Sequence, residues 1–327
     1  RKYNVSGIIT AATDKPLVMM ARIAESLHLP FFSIETAKCS TDKFLMKQKF
    51  QEFEIPCAKG FLVKDTKDDL AQLATIEYPV ILKPRDNSGS RGVIYCKDYH
   101  TLQQSLKETF KYTKKNNVLI EEFIEGKEYS VEGIHYNGES HIIQITEKIT
   151  TKFPYNVELG HIQPAELSNE NKCAIQQLLN KIAKSLAFNN CASHTELKIN
   201  SKGIKVIETS PRLGGDFISS TLVPLSTGIN MEDVLIDIST GKKLQPDYYM
   251  PKFNKSSGII YFELPEGRIN TILNLQEINQ IEGIQNFSFY LKAGDTINKI
   301  TSSLNRYGYA IFQNSTRKEL IGNIKKC

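Results

Sequence analysis

Hydrophobic residues recur along the chain with two periods, one typical of helices and one typical of strands. Between Ser168 and Leu186 they return every three or four positions, which predicts an amphipathic helix with its apolar stripe in the core. The stripe consists of Ile175, Leu178, Leu179, Ile182, Ala183 and Leu186. The run from Tyr78 to Pro84 is instead continuously apolar up to Lys83, and the prolines that flank it predict a short buried strand.

The rest of the pattern predicts an alternation of shorter helices and strands. Asp14 is expected to cap a helix that runs to about Leu27, and Ser40 or Thr41 precedes a helix that runs through Phe53. Further strands are predicted at Gly7 to Thr10, Val93 to Cys96, Val118 to Ile124, Tyr129 to Tyr136, His141 to Ile149, Cys191 to Ile199 and Ile204 to Thr209. Further helices are predicted at Tyr99 to Lys115, Phe217 to Leu222 and Met231 to Ile238. We therefore expect a mixed α/β (α+β) fold.

Length and composition narrow the class of protein. The chain has 327 residues, of which 40% are hydrophobic and 24% charged, as expected for two or three globular domains. No stretch approaches the roughly 18 apolar residues of a membrane-spanning helix, so we expect no membrane association. The six cysteines form no Cys-x-x-Cys pair, which disfavours a zinc finger and indicates a reducing, cytoplasmic environment.

The charge of the chain is mildly basic, with a formal net charge of +5. The basic residues are spread out, and the densest groups are Lys111 with Lys114 and Lys115, and Lys325 with Lys326. Such groups are usually solvated surfaces, so we expect no nucleic-acid partner. Small anionic molecules suit this charge equally well.

A glycine-bearing loop from Ser88 to Gly92 follows the strand that contains Lys83. Its glycines allow a ligand to approach the backbone closely, and consecutive amides can bind an anion. The alternative is a hairpin turn that needs glycine. Lys83 can likewise either contact a phosphate or reach solvent from the strand end. The loop matches neither the Walker pattern nor a Gly-x-Gly-x-x-Gly fingerprint.

Acidic residues follow on the next strand, at Glu121, Glu122 and Glu128. They can protect an exposed sheet edge, or they can accept hydrogen bonds from a purine amino group and ribose hydroxyls. His161 lies near Glu158, and His194 lies near Glu196. A lone histidine of this kind is more often structural than catalytic.

Glu196 and Glu208 flank a predicted hairpin turn. If the loop has three residues and Gly203 is left-handed, the two glutamates lie directly opposite each other, and a divalent cation such as Mg²⁺ would relieve their repulsion. If the loop has two residues, Leu197 pairs with Val206 and the acids lie on opposite faces.

Arg212 follows closely, beside two glycines. It is either a clamp for a carboxylate or phosphate or a surface residue in a turn.

In their order along the chain, these segments resemble the ATP-grasp superfamily of carboxylate-amine ligases. The segments are Lys43 after Thr41-Asp42, Tyr78 to Pro84, Ser88 to Gly92, Ile120 to Gly126 with Glu128, Glu196, and Ile207 to Arg212. The likeness is greatest to the group that includes the carbamoyl-phosphate synthase large chain, biotin carboxylase and small amino-acid ligases.

The resemblance implies a role for each of these residues. Those that would bind ATP are Lys43, Lys83, Ser88, Gly89, Ser90, Gly92, Glu121, Glu122, Ile124 and Glu128. The metal ligands would be Glu196, Glu208 and Ser210, with Mg²⁺, or Mn²⁺ as an alternative. Arg212 and Lys83 would stabilise the transferring phosphoryl group. Glu158, His161, His194 and Arg212 would face the acceptor substrate.

The sequence departs from the family pattern at Ser210, where the family usually has an asparagine metal ligand, so a second metal is in question. Residues 1–38 resemble only the last portion of a Rossmann-like pre-ATP-grasp domain, and we expect the chain to be a piece of a longer one. Residues 39–245 would form the ATP-grasp domain, with a small lid subdomain at about 76–124. Residues 250–327 resemble a small C-terminal closing domain that packs on this body.

The function that the resemblance implies is ADP-forming ligation. A carboxylate would be activated by ATP as an acyl phosphate and attacked by an amine. The alternatives are a bicarbonate-using enzyme of the carboxylase or carbamoyl-phosphate type, and a non-catalytic ATP-binding module. The expected partners are small-molecule carboxylates and amines, and family members are often homodimers.

Overall fold

The computed structural model describes residues 4–64, 73–87, 89 and 91–327. Three helices come first: α1 (Leu17–Leu27), α2 (Ile34–Thr41) and α3 (Lys43–Glu52). Ser33 caps α2 by accepting a hydrogen bond from the Thr36 amide, and Asp42 caps α3 by accepting from the amides of Phe44 and Leu45. Two helices were predicted, one that runs to about Leu27 and one that runs through Phe53. They are confirmed as α1 and α3.

Two expectations for the N-terminal region are wrong. The segment Gly7 to Thr10 forms no strand. Its backbone packs against the chain at Ser239, where a Cβ on Gly7 would collide with the carbonyl group. Asp14 does not cap α1, whose N-cap position is occupied by Pro16 without a side-chain hydrogen bond. The Asp14 carboxylate turns instead toward Arg212, because a charged donor offers it stronger bonds than a helix amide.

A small antiparallel sheet follows, with strand order β1-β4-β2-β3. Its strands are β1 (Gly60–Val63), β2 (Val80–Pro84), β3 (Ile94–Cys96) and β4 (Val118–Glu122), and α4 (Tyr99–Phe110) packs on one face. The core under this helix contains Leu82, Leu102, Leu106 and Ile120, all nearly inaccessible to solvent. Strand β1 pairs with β4. The small sheet therefore begins before residue 76, where the lid subdomain was expected to start.

A larger sheet of eight strands forms the body, in the order β12-β14-β10-β7-β6-β5-β8-β9. Five consecutive strands come from the middle of the chain: β5 (Lys127–Tyr136), β6 (Glu139–Thr150), β7 (Glu158–Gln163), β8 (Cys191–Asn200) and β9 (Gly203–Ser210). Helix α5 (Asn169–Leu186) packs on this sheet and buries Ile175, Leu179 and Ile182, as its apolar stripe predicts. Full burial of each such side chain stabilises the folded state by roughly 1.5–3 kcal/mol.

The C-terminal region continues the same sheet. After a π-helical turn (Ile218–Leu222), α6 (Val223–Thr227) and α7 (Met231–Ser239) come β10 (Ser256–Tyr261), β11 (Gly267–Arg268), β12 (Ile284–Phe289), β13 (Thr296–Ile297), β14 (Gly308–Asn314) and α8 (Arg317–Ile324). Strand β10 pairs antiparallel with β7, and β11 pairs with β13 in a separate ribbon. Direct strand pairing thus attaches the C-terminal region to the body. Among the described residues, no helix is both long and apolar enough to span a bilayer.

Candidate active site

A cleft of about 340 Å³ lies between the small and large sheets. The small sheet contributes Lys83 and Glu121, and the large sheet contributes Glu196 and Glu208. Most residues that the sequence singled out line this cleft, namely Lys43, Lys83, Gly89, Glu121, Glu122, Ile124, Glu128, Glu158, His161, His194, Glu196, Glu208 and Arg212. Segments that are far apart in the sequence therefore converge on one cavity.

At the end of the cleft nearest the small sheet, Glu121 binds two lysines. Its carboxylate lies 2.7 Å from Lys83 Nζ and 3.0 Å from Lys47 Nζ, and the residue is only 4% exposed. Burial alone would raise the pKa of Glu121, but the two ammonium groups outweigh it and hold the pKa below its usual value. The partner of Lys83 in this structure is thus a carboxylate, and the buried Lys47, which the sequence did not single out, positions that carboxylate.

Glu122 and Ile124 follow on the segment that joins the two sheets. The Glu122 carboxylate lies 2.8 Å from Lys205 Nζ and accepts a hydrogen bond from the Lys59 amide. The Ile124 carbonyl accepts from Lys198 Nζ at 3.1 Å. Both are therefore positioned by lysines from neighbouring elements.

Three facing pairs between β5 and β8 organise the floor of the cleft. Alternate residues of β8 point to the same face, and the ladder sets His194 opposite Glu132, Glu196 opposite Ser130 and Lys198 opposite Glu128. Lys198 Nζ lies 3.0 Å from the Glu128 carboxylate.

The hairpin of β8 and β9 combines the two registers that the sequence left open. The loop has two residues, and Leu197 pairs with Val206, yet Glu196 also pairs with Glu208. A β-bulge between Glu196 and Leu197 accounts for both, because Ile207 is an extra residue on β9 that restores the register. The opposed carboxylates that the three-residue loop predicted are therefore present, but a bulge rather than the turn produces them.

Each of these opposed glutamates forms an ion pair with a lysine. Glu196 Oε1 lies 2.6 Å from Lys148 Nζ, and Glu208 Oε2 lies 2.9 Å from Lys43 Nζ. Burial opposes ionisation of Glu196, but Lys148 and then His194 outweigh it and hold its pKa well below the usual range. Lys148 was missed by sequence reasoning. The available signal was a lysine at the end of a predicted strand.

His194 is held by a buried carboxylate. Its Nδ1 donates to Glu132 Oε1 at 2.6 Å, and Glu132 also accepts from the Gly214 amide and the Ser219 hydroxyl. Burial would lower the pKa of His194, but Glu132 raises it to about 9. The histidine is therefore a cation at neutral pH, with Nε2 at 3.5 Å from Glu196.

Arg212 is fixed by Asp14, another residue that sequence reasoning missed. Arg212 Nε donates to Asp14 Oδ1 at 2.6 Å and Nη2 donates to Oδ2 at 3.1 Å, which makes a bidentate pair. The Ser210 hydroxyl also donates to Asp14 Oδ1, at 2.6 Å. Ser210, which was expected to bind metal, thus supports the Asp14–Arg212 pair in this structure.

A second bidentate pair joins the C-terminal region to the cleft. Arg306 donates to both oxygens of Asp216 at 2.8 Å, and its guanidinium stacks over the Tyr261 ring at 3.7 Å. Asp216 Oδ2 lies 3.5 Å from Nε2 of the buried His161. The carboxylate of Glu158 lies nearby, 3.8 Å from Lys148 Nζ. These residues form the end of the cleft farthest from the small sheet.

The loop after β2 is described in part. Gly89 and Gly92 have φ of 68° and 74°, and a Cβ on Gly92 would meet Tyr112 and Pro84 at less than 3 Å. Glycine is thus required at residue 92 by both conformation and space. Ser88 and Ser90, which were expected to contact phosphates, lie outside the described residues.

The donor set at the centre of the cleft suits a hard divalent cation. Glu196 and Glu208 offer opposed carboxylates, and the Ser130 hydroxyl opposite Glu196 is buried without a hydrogen-bond partner in the part of the chain that is described. Mg²⁺ usually takes one or two carboxylates and completes its shell with water and substrate phosphates. Within the described residues, no group of three or more acidic, histidine or cysteine side chains forms a closed metal site. The two glutamates therefore form an open site of the kind that a metal–phosphate complex would use.

Comparison with known proteins gives two matching families. The ATP-grasp domain family matches residues 76–220, and L-amino acid ligase C-terminal domain 2 matches residues 260–327. The alanine–anticapsin ligase of Bacillus amyloliquefaciens is 28% identical over 253 residues, which cover 70% of this chain and 53% of that protein. The chain thus spans about half the length of that relative.

Two further similarities cover more of the chain. The L-arginine-specific L-amino acid ligase of Bacillus subtilis is 24% identical over 305 residues, which cover 90% of this chain and 72% of that protein. The crystal structure of the L-amino acid ligase from Bacillus licheniformis superimposes with a TM-score of 0.84 at 22% identity, and covers 99% of this chain and 79% of that one. The expected ATP-grasp fold is confirmed. The chain carries an ATP-grasp domain followed by an L-amino acid ligase C-terminal domain.

Proposed function

We propose that the protein is an ATP-dependent ligase that activates a carboxylate as an acyl phosphate and joins it to an amine. The observation that carries the proposal is the opposed pair of Glu196 and Glu208 at the centre of the cleft, each beside a lysine. The cleft that contains this pair is also lined by the residues expected to bind a nucleotide and by Asp14 and Arg212. The cleft can thus hold a nucleotide and a second substrate with their reacting groups near the same two carboxylates.

Mg²⁺, or Mn²⁺ in its place, would be held by Glu196 and Glu208, where it neutralises phosphate charge. Lysine side chains of the cleft can also neutralise phosphate charge. Lys43 and Lys148 neutralise the two glutamates in this structure, and they can turn to phosphate oxygens when a cation takes the carboxylates. Lys83, at the small-sheet side, can contact a phosphate in the same way, while Glu121, Glu122, Ile124 and Glu128 would bind the base and ribose.

The reaction needs positioning and charge neutralisation more than covalent catalysis by the protein. An oxygen of the substrate carboxylate attacks the γ-phosphorus of ATP, the bond to the bridging oxygen breaks, and ADP leaves with the electron pair. The amine nitrogen then attacks the carbonyl carbon, the carbon–oxygen bond breaks, and phosphate leaves. The proton that the amine loses can go to the departing phosphate. Arg212, oriented by Asp14, would stabilise the charge that develops at the γ-phosphate and carboxylate.

Amino acids are the proposed substrate class. The names of the relatives support this, since two of them are L-amino acid ligases. Glu158, His161 and His194, on the far side of the cleft, would face the acceptor. The six cysteines are free thiols, which supports the proposed cytoplasmic location. A homodimer is also proposed, by analogy with the family alone.

ADP release with Mg-ATP tests the proposal, measured against pools of amino acids and small carboxylates with hydroxylamine as the trap. A hydroxamate that forms with one pool is the expected result and identifies the activated acid. ADP release that depends on bicarbonate alone would support the carboxylase-type alternative. ATP binding without ADP formation in any pool would support a non-catalytic module.

A further inference from the structure

A second cavity of about 450 Å³ adjoins the main cleft and is also lined by Glu208. Asp14, Lys43, Glu208 and Arg212 line both this cavity and the main cleft. The Lys43–Glu208 and Asp14–Arg212 ion pairs therefore form the partition between the two spaces. The second cavity thus begins next to the position that the proposed function gives to the γ-phosphate.

The walls of this cavity carry excess positive charge. Five cationic side chains line it: Lys15, Lys43, Arg91, Lys114 and Arg212. Three carboxylates line it too, which leaves a net charge of +2 before His194 is counted.

The carboxylates already have partners inside the protein. Asp14 accepts from Arg212 and Ser210, Glu208 pairs with Lys43, and Asp86 accepts from the hydroxyl of Thr113 and the amide of Lys114. Within the described part of the chain, neither Lys15 nor Lys114 forms an ion pair. Both lysines therefore add to the net positive charge of the cavity, and an anion is the ligand that would balance it.

The cations also follow a gradient of exposure. The side chains of Lys43 and Arg212, at the partition, are 18% and 12% exposed, whereas Lys15, Arg91 and Lys114 are exposed at the rim. The Ser40 hydroxyl is buried without a partner among the described residues, and Ser40 lines the cavity. The cavity therefore offers an anion a cationic path from the partition to solvent.

We propose that this second cavity is a binding site for inorganic phosphate, which holds the phosphate that the reaction releases on its way to solvent. The inference rests on the proposed function, because the acyl-phosphate chemistry of that function liberates phosphate at the partition. The main cleft would then still contain ADP and the ligated product, so a separate exit for phosphate avoids the route that they occupy.

The test measures phosphate binding by isothermal titration calorimetry, with the nucleotide site filled by a non-hydrolysable Mg-ATP analogue. The test variant is the double substitution Lys15→Ala with Lys114→Ala, which leaves all residues of the proposed catalytic machinery in place. The matched control is Lys107→Ala with Lys115→Ala, because both are lysines of the same region that do not line the cavity. Circular dichroism establishes that each variant is folded.

The expected result is saturable phosphate binding in the presence of the analogue. The double variant should weaken it about tenfold or more, since two unit charges near one anion amount to at least one decade in affinity, and the control should not. Binding that the Mg-ATP analogue abolishes would assign phosphate to the main cleft and overturn the proposal. Equal affinity in the double variant and wild type, or no saturable binding, would overturn it as well.

This result is independent of the ligase assay. Phosphate binding that depends on Lys15 and Lys114, in a protein that forms no ADP with any substrate pool, would leave the anion site standing and reject the ligase function. ADP formation together with phosphate binding that depends on neither lysine would support the ligase function and reject the anion site.

Discussion

The two ends of the cleft are built in different ways. At the end proposed to bind the nucleotide, several charged pairs join neighbouring strands, as in the facing pair of Glu128 and Lys198 on β5 and β8. At the end proposed to face the acceptor, the ion pairs join segments remote in sequence, since Asp14 pairs with Arg212 and Asp216 pairs with Arg306. The proposed nucleotide end therefore follows largely from strand pairing, whereas the proposed acceptor end depends on how loops and the C-terminal region pack. We expect substitutions at the two ends to separate nucleotide chemistry from acceptor recognition.

The largest effect is expected at the centre, where the two ends meet. Glu208→Gln keeps the shape of the side chain but removes the charge proposed to hold the metal. We expect the rate of ADP formation to fall by about 10³-fold, measured by a coupled assay at saturating Mg-ATP. The exposed Glu125 serves as control, and Glu125→Gln should retain full rate. Substantial activity in Glu208→Gln would exclude this carboxylate as a metal ligand.

At the acceptor end, Asp14→Asn removes the charge that orients Arg212 and keeps one hydrogen-bond acceptor. The rate of carboxylate activation should fall by about 10²-fold, because Arg212 loses its bidentate partner. The affinity for Mg-ATP, measured separately by fluorescence titration, should change little. A loss of nucleotide affinity as large as the loss of rate would contradict the separation of the two ends.

Arg306 tests whether the C-terminal region supports the acceptor end. Arg306→Ala removes the bidentate partner of Asp216, and we expect the free energy of unfolding to fall by about 2 kcal/mol. Urea denaturation measures this change. Arg268→Ala, at an exposed residue of β11, is the matched control and should leave stability unchanged. The apparent KM for the acceptor amine should rise in the Arg306 variant, while that for Mg-ATP should not.

A smaller effect concerns His194, whose pKa is raised from 6.5 to about 9 by Glu132. A raised pKa means that the protonated form stabilises the fold. This contribution is therefore complete below pH 6.5 and is lost as pH rises through about 9. We expect the wild type to lose about 1 kcal/mol over the last pH unit below the folded pKa, and His194→Gln to lack this part of the pH dependence. Identical pH profiles for the two proteins would contradict a protonated His194.

The sequence predicted most of the regular structure and most of the residues that line the main cleft. The apolar stripe of α5 and the buried strand before Lys83 are strong periodic signals, and the order of the motifs indicated the ATP-grasp fold. The opposition of Glu196 and Glu208 was among the alternatives, but its cause was not. A β-bulge depends on how β9 packs, and no residue in the turn predicts it.

The ion pairs at the proposed acceptor end could not be predicted from the sequence, and the reason is physical. Asp14 lies in a segment that reads locally as a helix cap, and only the folded chain brings it to Arg212, 198 residues away. Arg306 is likewise paired with Asp216, which lies 90 residues away in the sequence. Local propensity carries no information about such long-range ion pairs. Lys148 and Lys198 could have been found, since charged residues in otherwise buried strands need partners.

The central claim is that ATP activates a carboxylate by direct phosphoryl transfer, and the fate of the carboxylate oxygen tests it most directly. The carboxylate substrate is labelled with ¹⁸O and turned over with Mg-ATP, and the released phosphate is analysed by mass spectrometry. Formation and breakdown of an acyl phosphate move one labelled oxygen from the acid into each phosphate. We predict that ADP formation is matched by phosphate that carries one ¹⁸O atom. Unlabelled phosphate, released at the rate of ADP formation, would contradict the acyl-phosphate mechanism.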